Sequence, residues 1–284
     1  MKYKIRERCK LCEGKMQFIF KANGCKLSKC EKCNFVQVVR ADKIPVYKYE
    51  RNYFTTNKYK DNSALQKEHA RRKKMLMKYC NKESWILDYG CASGEFVHFV
   101  SDVYKAEGCD ISADAIAIAR EKYTDIHDRF WCVAKQDHIA REYDAVCLWD
   151  VIEHLADPYE RLLDLKKIIK NGGYLFISTP NIGAVFARML KSKWPFMTPP
   201  EHLSFFSYKS IRRLAGILGM EIVEWSSKGK WANVGFILYK FNRVSDIKIP
   251  DKIINIFQTT FLSRWNIYVP TGDIQYVVLK KNEK

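Results

Sequence analysis

Cys9, Cys12, Cys30 and Cys33 stand as two Cys-x-x-Cys pairs with 17 residues between them. Each pair can fold round a metal, and four thiolates complete a tetrahedral zinc site with no open position for a substrate. Such a zinc would be structural. Buried structural cysteines or a redox pair are the rival readings. A module confined to residues 1–40 has too little core to stand alone, which favours the metal as its staple. Cys25 lies outside the set.

The second constellation is Ile86-Leu87-Asp88-Tyr89-Gly90-Cys91-Ala92-Ser93-Gly94, an apolar run ending in a carboxylate and a glycine turn. Gly90 and Gly94 let a backbone approach a ligand, and the carboxyl end of such a strand is where open α/β sheets bind cofactors. The spacing is not the G-x-G-x-x-G of dinucleotide sites, so NAD and FAD fit poorly. Asp88 suits a cofactor that brings an amino group to the turn. Asp110, twenty residues after Gly90, can accept hydrogen bonds from both hydroxyls of a ribose. The alternative is a tight turn without a ligand.

Asp150, Glu153 and His154 form a third group, with His202 in Pro199-Pro200-Glu201-His202-Leu203-Ser204-Phe205-Phe206. At a helix start the first three fall at i, i+3 and i+4 and can converge on one ligand. The alternative has Glu153 solvated and His154 packed under the sheet. His202 can act as a general base toward a hydroxyl, the preferred reading. As runner-up, the four together can hold magnesium or manganese.

Four segments in order resemble the motifs of class I S-adenosylmethionine-dependent methyltransferases: Leu87 to Gly94, Asp110-Ile111-Ser112, Tyr143-Asp144-Ala145-Val146, and Asp150-Val151-Ile152-Glu153-His154-Leu155. The resemblance covers residues 84–225 and returns near 274–279. It implies a seven-stranded Rossmann-like sheet whose last strand is antiparallel. It also implies that Asp88, Gly90, Cys91, Ala92 and Gly94 surround the methionine part of the cofactor, with Asp110 and Ile111 at the ribose and Asp150 at the sulfonium side. Adenine contacts fall near Gln136 and Asp137. Ala92 stands where the family usually has a middle glycine. Pro199 to Ser207 and the aromatic lead-in of Tyr49, Tyr53, Phe54 and Tyr59 resemble segments of zinc-ribbon methyltransferases of cell-surface sugar and secondary-metabolite pathways. There the proline-flanked segment lines the acceptor pocket. The acid and histidine group resembles that of ubiquinone-pathway and small-RNA 2′-O-methyltransferases, with Asp150 where those carry Glu.

The elements that must position these residues alternate in type. Strand-like runs at Trp85-Ile86-Leu87, Ala106 to Cys109, Phe130 to Val133, Ala145 to Trp149 and Tyr174 to Ser178 are separated by amphipathic helix patterns, which predicts a parallel sheet covered on both faces. Ser112, Asp157 with Pro158, and Ser207 mark helix starts, while Asn171-Gly172 and Gly219 mark helix ends. Two further strands are expected at Glu221 to Trp225 and Ile274 to Leu279, and the 45 or so residues between them should carry structure of their own. The fold class is therefore α/β with a small N-terminal zinc ribbon. Residues 1–40 are the ribbon, 41–82 a basic, tyrosine-rich helical lead-in, and 83–284 the methyltransferase domain, with acceptor-side insertions at 183–206 and 226–272. Ser63 and Gln66 open a helix over 63–80. Its Arg71-Arg72-Lys73-Lys74 run reads as a solvated face.

With 284 residues and a net charge of +17, the chain can bury a core and favours an anionic partner. No run of 18 apolar residues spans a bilayer, and the start lacks the apolar stretch of a signal peptide. Ten cysteines, several in strand-like runs, suit a reducing compartment, so a cytoplasmic location is expected. The sequence thus reads as an O-methyltransferase acting on a small anionic acceptor such as a nucleotide-linked sugar or polysaccharide precursor. An RNA methyltransferase gripping phosphates is the first rival, and a cofactor-binding module without turnover the second.

Overall fold

A computed structural model describes residues 8–41, 63–133, 141–244, 248–260 and 266–283. Tyr49, Tyr53, Phe54, Tyr59, Gln136 and Asp137 lie outside them. The first three strands, β1 (Met16–Ala22), β2 (Cys25–Cys30) and β3 (Val36–Ala41), form an antiparallel meander. The central sheet is built from β4 (Trp85–Tyr89), β5 (Lys105–Asp110), β6 (Phe130–Cys132), β7 (Tyr143–Trp149) and β8 (Ile169–Pro180), followed by β9 (Ser204–Phe205) in the ribbon sheet, then β10 (Met220–Asn233) and β11 (Asn266–Lys281). The order across the seven-stranded sheet is β10-β11-β8-β7-β4-β5-β6. β4 to β8 pair in parallel, while β11 runs antiparallel to both β8 and β10.

Helices cover both faces. α1 (Ser63–Tyr79), α2 (Glu95–Val100) and α3 (Ala113–Lys122) bury Met75, Leu76, Phe96, Val97, Val100, Ile116 and Ala119 on one side. α4 (Pro158–Lys167) buries Leu162 and Leu165 on the other. α5 (Val185–Leu190) follows β8, and α6 (Tyr208–Leu218) adds Ile211, Leu214 and Leu218 to the α4 face. The helix starts marked in the sequence are capped as expected: Ser112 accepts from Ala115 N at 3.2 Å and Asp157 from Glu160 N at 3.4 Å.

Three boundaries differ from the sequence reading. α4 ends at Lys167, and Asn171-Gly172 does not close it. Ile169 already pairs with Tyr143, so the Asn-Gly pair forms an irregularity inside β8, with Gly172 at φ 75°. β10 and β11 run well beyond the expected segments, from Met220↔Lys281 to Asn233↔Asn266, as a long ribbon. The segment joining them holds α7 (Val234–Val244) and α8 (Asp251–Thr259).

The ribbon sheet is completed from a distance. β9 pairs antiparallel with β3 through Val36↔Phe205 and Gln37↔Ser204, making the order β1-β2-β3-β9. Around this junction Leu27 and Val36 share an apolar cluster with Ala187, Trp194, Met197 and Phe205, and Phe35 meets Phe206 with ring centroids 5.1 Å apart. The stretch assigned to an acceptor-side insertion is thus also the ribbon's fourth strand.

Candidate active site

Two knuckles of the same build bring the ribbon thiols together. Cys9 O accepts from Glu13 N and Cys9 N donates to Gly14 O; Cys30 O accepts from Asn34 N and Cys30 N donates to Phe35 O. Glu13 and Asn34 take the left-handed conformation at the equivalent place, φ 55° and 60°. A Cβ at Gly14 would meet Cys30 Sγ at 3.0 Å and Cys12 Sγ at 3.2 Å, so the turn needs glycine there. The Sγ separations are 3.6 Å for Cys9–Cys33 and 3.5 Å for both Cys12–Cys30 and Cys12–Cys33. A zinc tetrahedron with Zn–S of about 2.3 Å has edges of about 3.8 Å. A disulfide would need about 2 Å. The donor set and its spacing therefore fit zinc.

The glycine turn is fixed by the protein itself. Gly90 N and Cys91 N donate to Cys109 O at 2.7 and 3.0 Å, and Ala92 N donates to Asp110 Oδ2 at 3.0 Å. Asp110 Oδ1 accepts from Ser112 N at 2.8 Å, and Ile111 N also donates to the carboxylate, so Asp110 ties the turn to α3. Gly90 and Gly94 have φ 86° and 82°. Their missing Cβ atoms make room for protein: Val151 Cγ2 would lie 2.6 Å from one, and the Phe130 ring 2.7 Å from the other. Ala92 also sits at positive φ, 49°. Cys91 is buried against Gly108, so only its backbone faces the turn's outer side, and Ile111 is exposed at the end of β5.

Beside the turn lies a group that the sequence reading missed. Arg72, placed there on a solvated face, is buried and donates from Nη2 to Asp150 Oδ2 at 2.9 Å. Its guanidinium sits 5.2 Å from the Trp149 ring centroid, and His69 packs against Phe96 at 5.5 Å. Asp88 Oδ1, Arg72 Nε, Trp149 Nε1 and both ring nitrogens of His69 are buried without a hydrogen-bond partner. Buried polar atoms are rarely left so, and a cluster of them marks a place for a polar ligand. Burial pushes the Asp88 carboxyl up to about 7 against the opposing pull of Arg72, and burial drives the His69 imidazole down to about 3. A cationic amino group fits the first, and an anionic group fits Arg72. S-adenosylmethionine carries both. The signal was available: Glu68, His69, Arg72, Met75 and Leu76 continue one helix face.

Asp150 does not stand on a helix with Glu153 and His154. It takes φ 59° at the end of β7, and a 3-10 turn over Ile152–His154 follows. Burial favours its neutral form, but Lys230, at 3.3 Å, and Arg72 outweigh that and hold its carboxyl below the usual range. Glu153, His154 and His202 do converge, with one ligand atom from each within 4.8 Å of the others, and Asp150 stays apart from them. Glu153 is buried, not solvated; it accepts from Thr179 Oγ1 at 2.9 Å, and burial lifts its carboxyl to about 7. His154 Nδ1 and His202 Nδ1 each lie 2.9 Å from a carbonyl, of Glu201 and Phe196. Carbonyls only accept, so both Nδ1 atoms carry the proton. The rings sit 4.8 Å apart, centroid to centroid.

A family model described as a methyltransferase domain matches residues 62–224, more than half of the 284-residue chain, and the chain belongs to that family. The order of the seven-stranded sheet, with β11 antiparallel beside β8, is the arrangement expected of such a domain. The chain is similar to the ubiquinone biosynthesis O-methyltransferase of Hydrogenovibrio crunogenus, 30% identical over 102 residues that cover 34% of this chain and 42% of that protein. It is 26% identical over 152 residues to the enzyme of that description from Thiobacillus denitrificans, covering 49% and 65%. The chain spans less than two thirds of the length of these relatives. Among solved structures it resembles the N-methyltransferase NodS of Bradyrhizobium japonicum in complex with S-adenosyl-l-homocysteine. The TM-score is 0.51 at 15% identity over 80% of this chain and 91% of that one, a likeness of fold. Among the described residues no helix is long and apolar enough to cross a membrane.

Proposed function

We propose that the enzyme methylates a hydroxyl of a small anionic acceptor, such as a nucleotide-linked sugar or polysaccharide precursor, in the cytoplasm. The observation that carries the reading is the convergence of His154 and His202, each held through Nδ1 by a backbone carbonyl, beside Glu153 after β7, the strand that pairs with β4. When bound, S-adenosylmethionine supplies an electrophilic methyl on a sulfonium. Asp88 would hold its amino group, Arg72 its carboxylate and Asp110 its ribose, with the backbone of Gly90, Cys91, Ala92 and Gly94 and the Ile111 side chain bordering it. Asp150, ion-paired to Arg72, stands at the sulfonium side. His202 Nε2 then takes the proton of the acceptor hydroxyl as the methyl arrives, and His154 and Glu153 fix its surroundings. Cys9, Cys12, Cys30 and Cys33 would hold a structural zinc.

A second reading has Glu153, His154 and His202 as ligands of magnesium or manganese that lowers the acceptor pKa. The anchoring of both Nδ1 atoms by carbonyls favours it, because metal-bound imidazoles are oriented in this way. Labelled cofactor incubated with a metabolite extract identifies the acceptor. On that acceptor His202→Ala should lower the rate by roughly 10² to 10⁴ under the base reading. Loss of activity on mild chelation that spares the ribbon zinc selects the metal. Full activity of His202→Ala rejects both. Label entering RNA instead of small molecules moves the acceptor to the nucleic-acid rival.

A further inference from the structure

A second concave surface lies outside the cofactor turn and the histidine pair. Between α1 and β10 runs an open cavity of about 590 Å³, within the size range of small-molecule sites. Lys67, Arg71, Lys74 and Lys78 line one wall, a single stripe of α1 at i, i+4, i+7 and i+11, and Lys228 faces them from β10. One carboxylate, Glu224, joins these five cations, and it is already taken by Lys78 at 2.5 Å and by Tyr79 Oη at 2.8 Å. Arg71 is met by Glu68 at 3.2 Å. Lys67 rests 3.8 Å from the Trp231 ring centroid. Lys74 and Lys228 are exposed; Lys228 feels the Glu224 carboxylate that Lys78 already pairs, and neither lysine has an ion pair within 4 Å among the described residues. Like charges gathered round a cavity repel until an anion enters.

We infer that this cavity binds the diphosphate of a nucleoside diphosphate group, with the base against Trp231. Two lines of geometry give the ligand its class. Lys74, Lys228 and Arg71 supply several donors for a compact polyanion, and Trp231 at the other end supplies a flat ring that Lys67 now covers. At the Lys78 end Glu224 pairs with Lys78, so the two carry no net charge there and the positive stretch stops at Lys74, a length that fits a discrete anion better than a continuing nucleic-acid strand.

The cavity is joined to the reaction site through neighbouring residues on both walls. On α1, Arg71 lines the cavity and Arg72 binds Asp150; on β10, Lys228 lines it and Lys230 binds Asp150. On each wall, then, a near sequence neighbour of a cavity-lining residue is bound to Asp150. The inference deepens the acceptor reading above and rests on it for the link to methyl transfer, while the binding itself can be measured alone.

The test is calorimetry on the full chain, with uridine diphosphate and inorganic pyrophosphate as separate probes and S-adenosylhomocysteine as control. Both probes should bind, and Lys74→Glu with Lys228→Glu should weaken both by roughly tenfold or more. Trp231→Ala should weaken uridine diphosphate and leave pyrophosphate unchanged. Both lysines are exposed, so the double variant should keep its fold and its S-adenosylhomocysteine affinity. No binding of either probe at millimolar concentration, or binding indifferent to the double variant, overturns the inference. So does a single-stranded RNA that binds the cavity and is not displaced by uridine diphosphate. Diphosphate binding without S-adenosylhomocysteine binding would instead leave the cavity standing and reject the methyl-transfer reading.

Discussion

The ribbon knuckles and the glycine turn are both sharp bends through left-handed residues, yet they are held by opposite means. At the glycine turn the neighbours are packed apolar side chains, Val151 under Gly90 and Phe130 under Gly94. Backbone donors there end on Cys109 O and Asp110, so the turn is complete before any ligand arrives. In the ribbon the knuckles close on four sulfurs 3.5–3.6 Å apart in the measured pairs, a spacing that suits thiolates only when a cation sits among them. One bend is made by packing; the other, on the zinc proposal, would be made by its ligand. Substitutions should therefore fail differently in the two places.

The largest effect is expected in the ribbon. Cys9→Ser with Cys30→Ser removes two of four ligands from a site whose zinc binding is worth roughly 10 to 16 kcal/mol in comparable modules. Metal analysis should find no zinc, and hydrogen exchange should rise in β3 and in Leu203 to Phe205, because Val38 N donates to Leu203 O at 3.0 Å. S-adenosylhomocysteine affinity should stay nearly unchanged, since the turn's backbone donors end on Cys109 and Asp110 and not on the ribbon. Loss of cofactor binding in this variant would erase the contrast between the regions.

At the turn, Gly94→Ala forces a Cβ to 2.7 Å from Phe130 at φ 82°. Strain and overpacking should together cost about 2 to 4 kcal/mol in chemical denaturation, with zinc content unaffected.

Asp88→Asn keeps the shape and removes the charge. It should weaken cofactor binding by about 1.5 to 3 kcal/mol, the range for a charge-assisted hydrogen bond. The wild-type dependence on pH follows from the sign of the shift. Burial raises the folded pKa to about 7, so the stability this group contributes is complete below the ordinary carboxylate pKa and is lost as pH rises through about 7. A cationic ligand favours the ionised form, so cofactor affinity should rise with pH across the same window, and Asp88→Asn should flatten both curves. Calorimetry and melting at several pH values read them directly.

The smallest change sharpens the contrast. Ala92→Gly relieves a positive φ of 49° and should stabilise the protein by about 0.5 to 1 kcal/mol, whereas no such relief exists at Gly14.

Both bends were legible in the sequence because each is written in residue types with few other uses: cysteine pairs at fixed spacing, and an acid followed by two glycines. The five parallel strands were legible as apolar runs. Arg72 was not, because α1 buries a face made of Glu68, His69 and Arg72, and polarity alone places such residues in water. Nor was the full length of β10 and β11: Ser227 to Asn233 is too polar to announce a strand, Ile267 to Val269 is a short run cut by Pro270, and Lys230 to Asn233 is held by pairing with Asn266 to Val269. Asn171-Gly172 misled for a related reason: a helix-stop signal and an irregular strand start share the same two residues. Asp150, Glu153 and His154 were read on one helix; the backbone turns at Asp150 and sends it to Arg72 and Lys230.

The pairing of β3 with β9 also sets an order of events during synthesis. Gln37 meets Ser204, 204 − 37 = 167 residues later. At about 5 to 20 residues per second a ribosome needs roughly 8 to 33 s to make that interval. Throughout it the third strand of the newborn ribbon shows an open edge, with Phe35 and Val36 lacking their later neighbours Phe206 and Phe205. On the zinc proposal, metal capture by the four cysteines, all made by residue 33, would come before that edge is closed. A nascent chain halted before His202 would carry a ribbon that is still adhesive along one side. The arrival of Ser204 to Phe206 covers it.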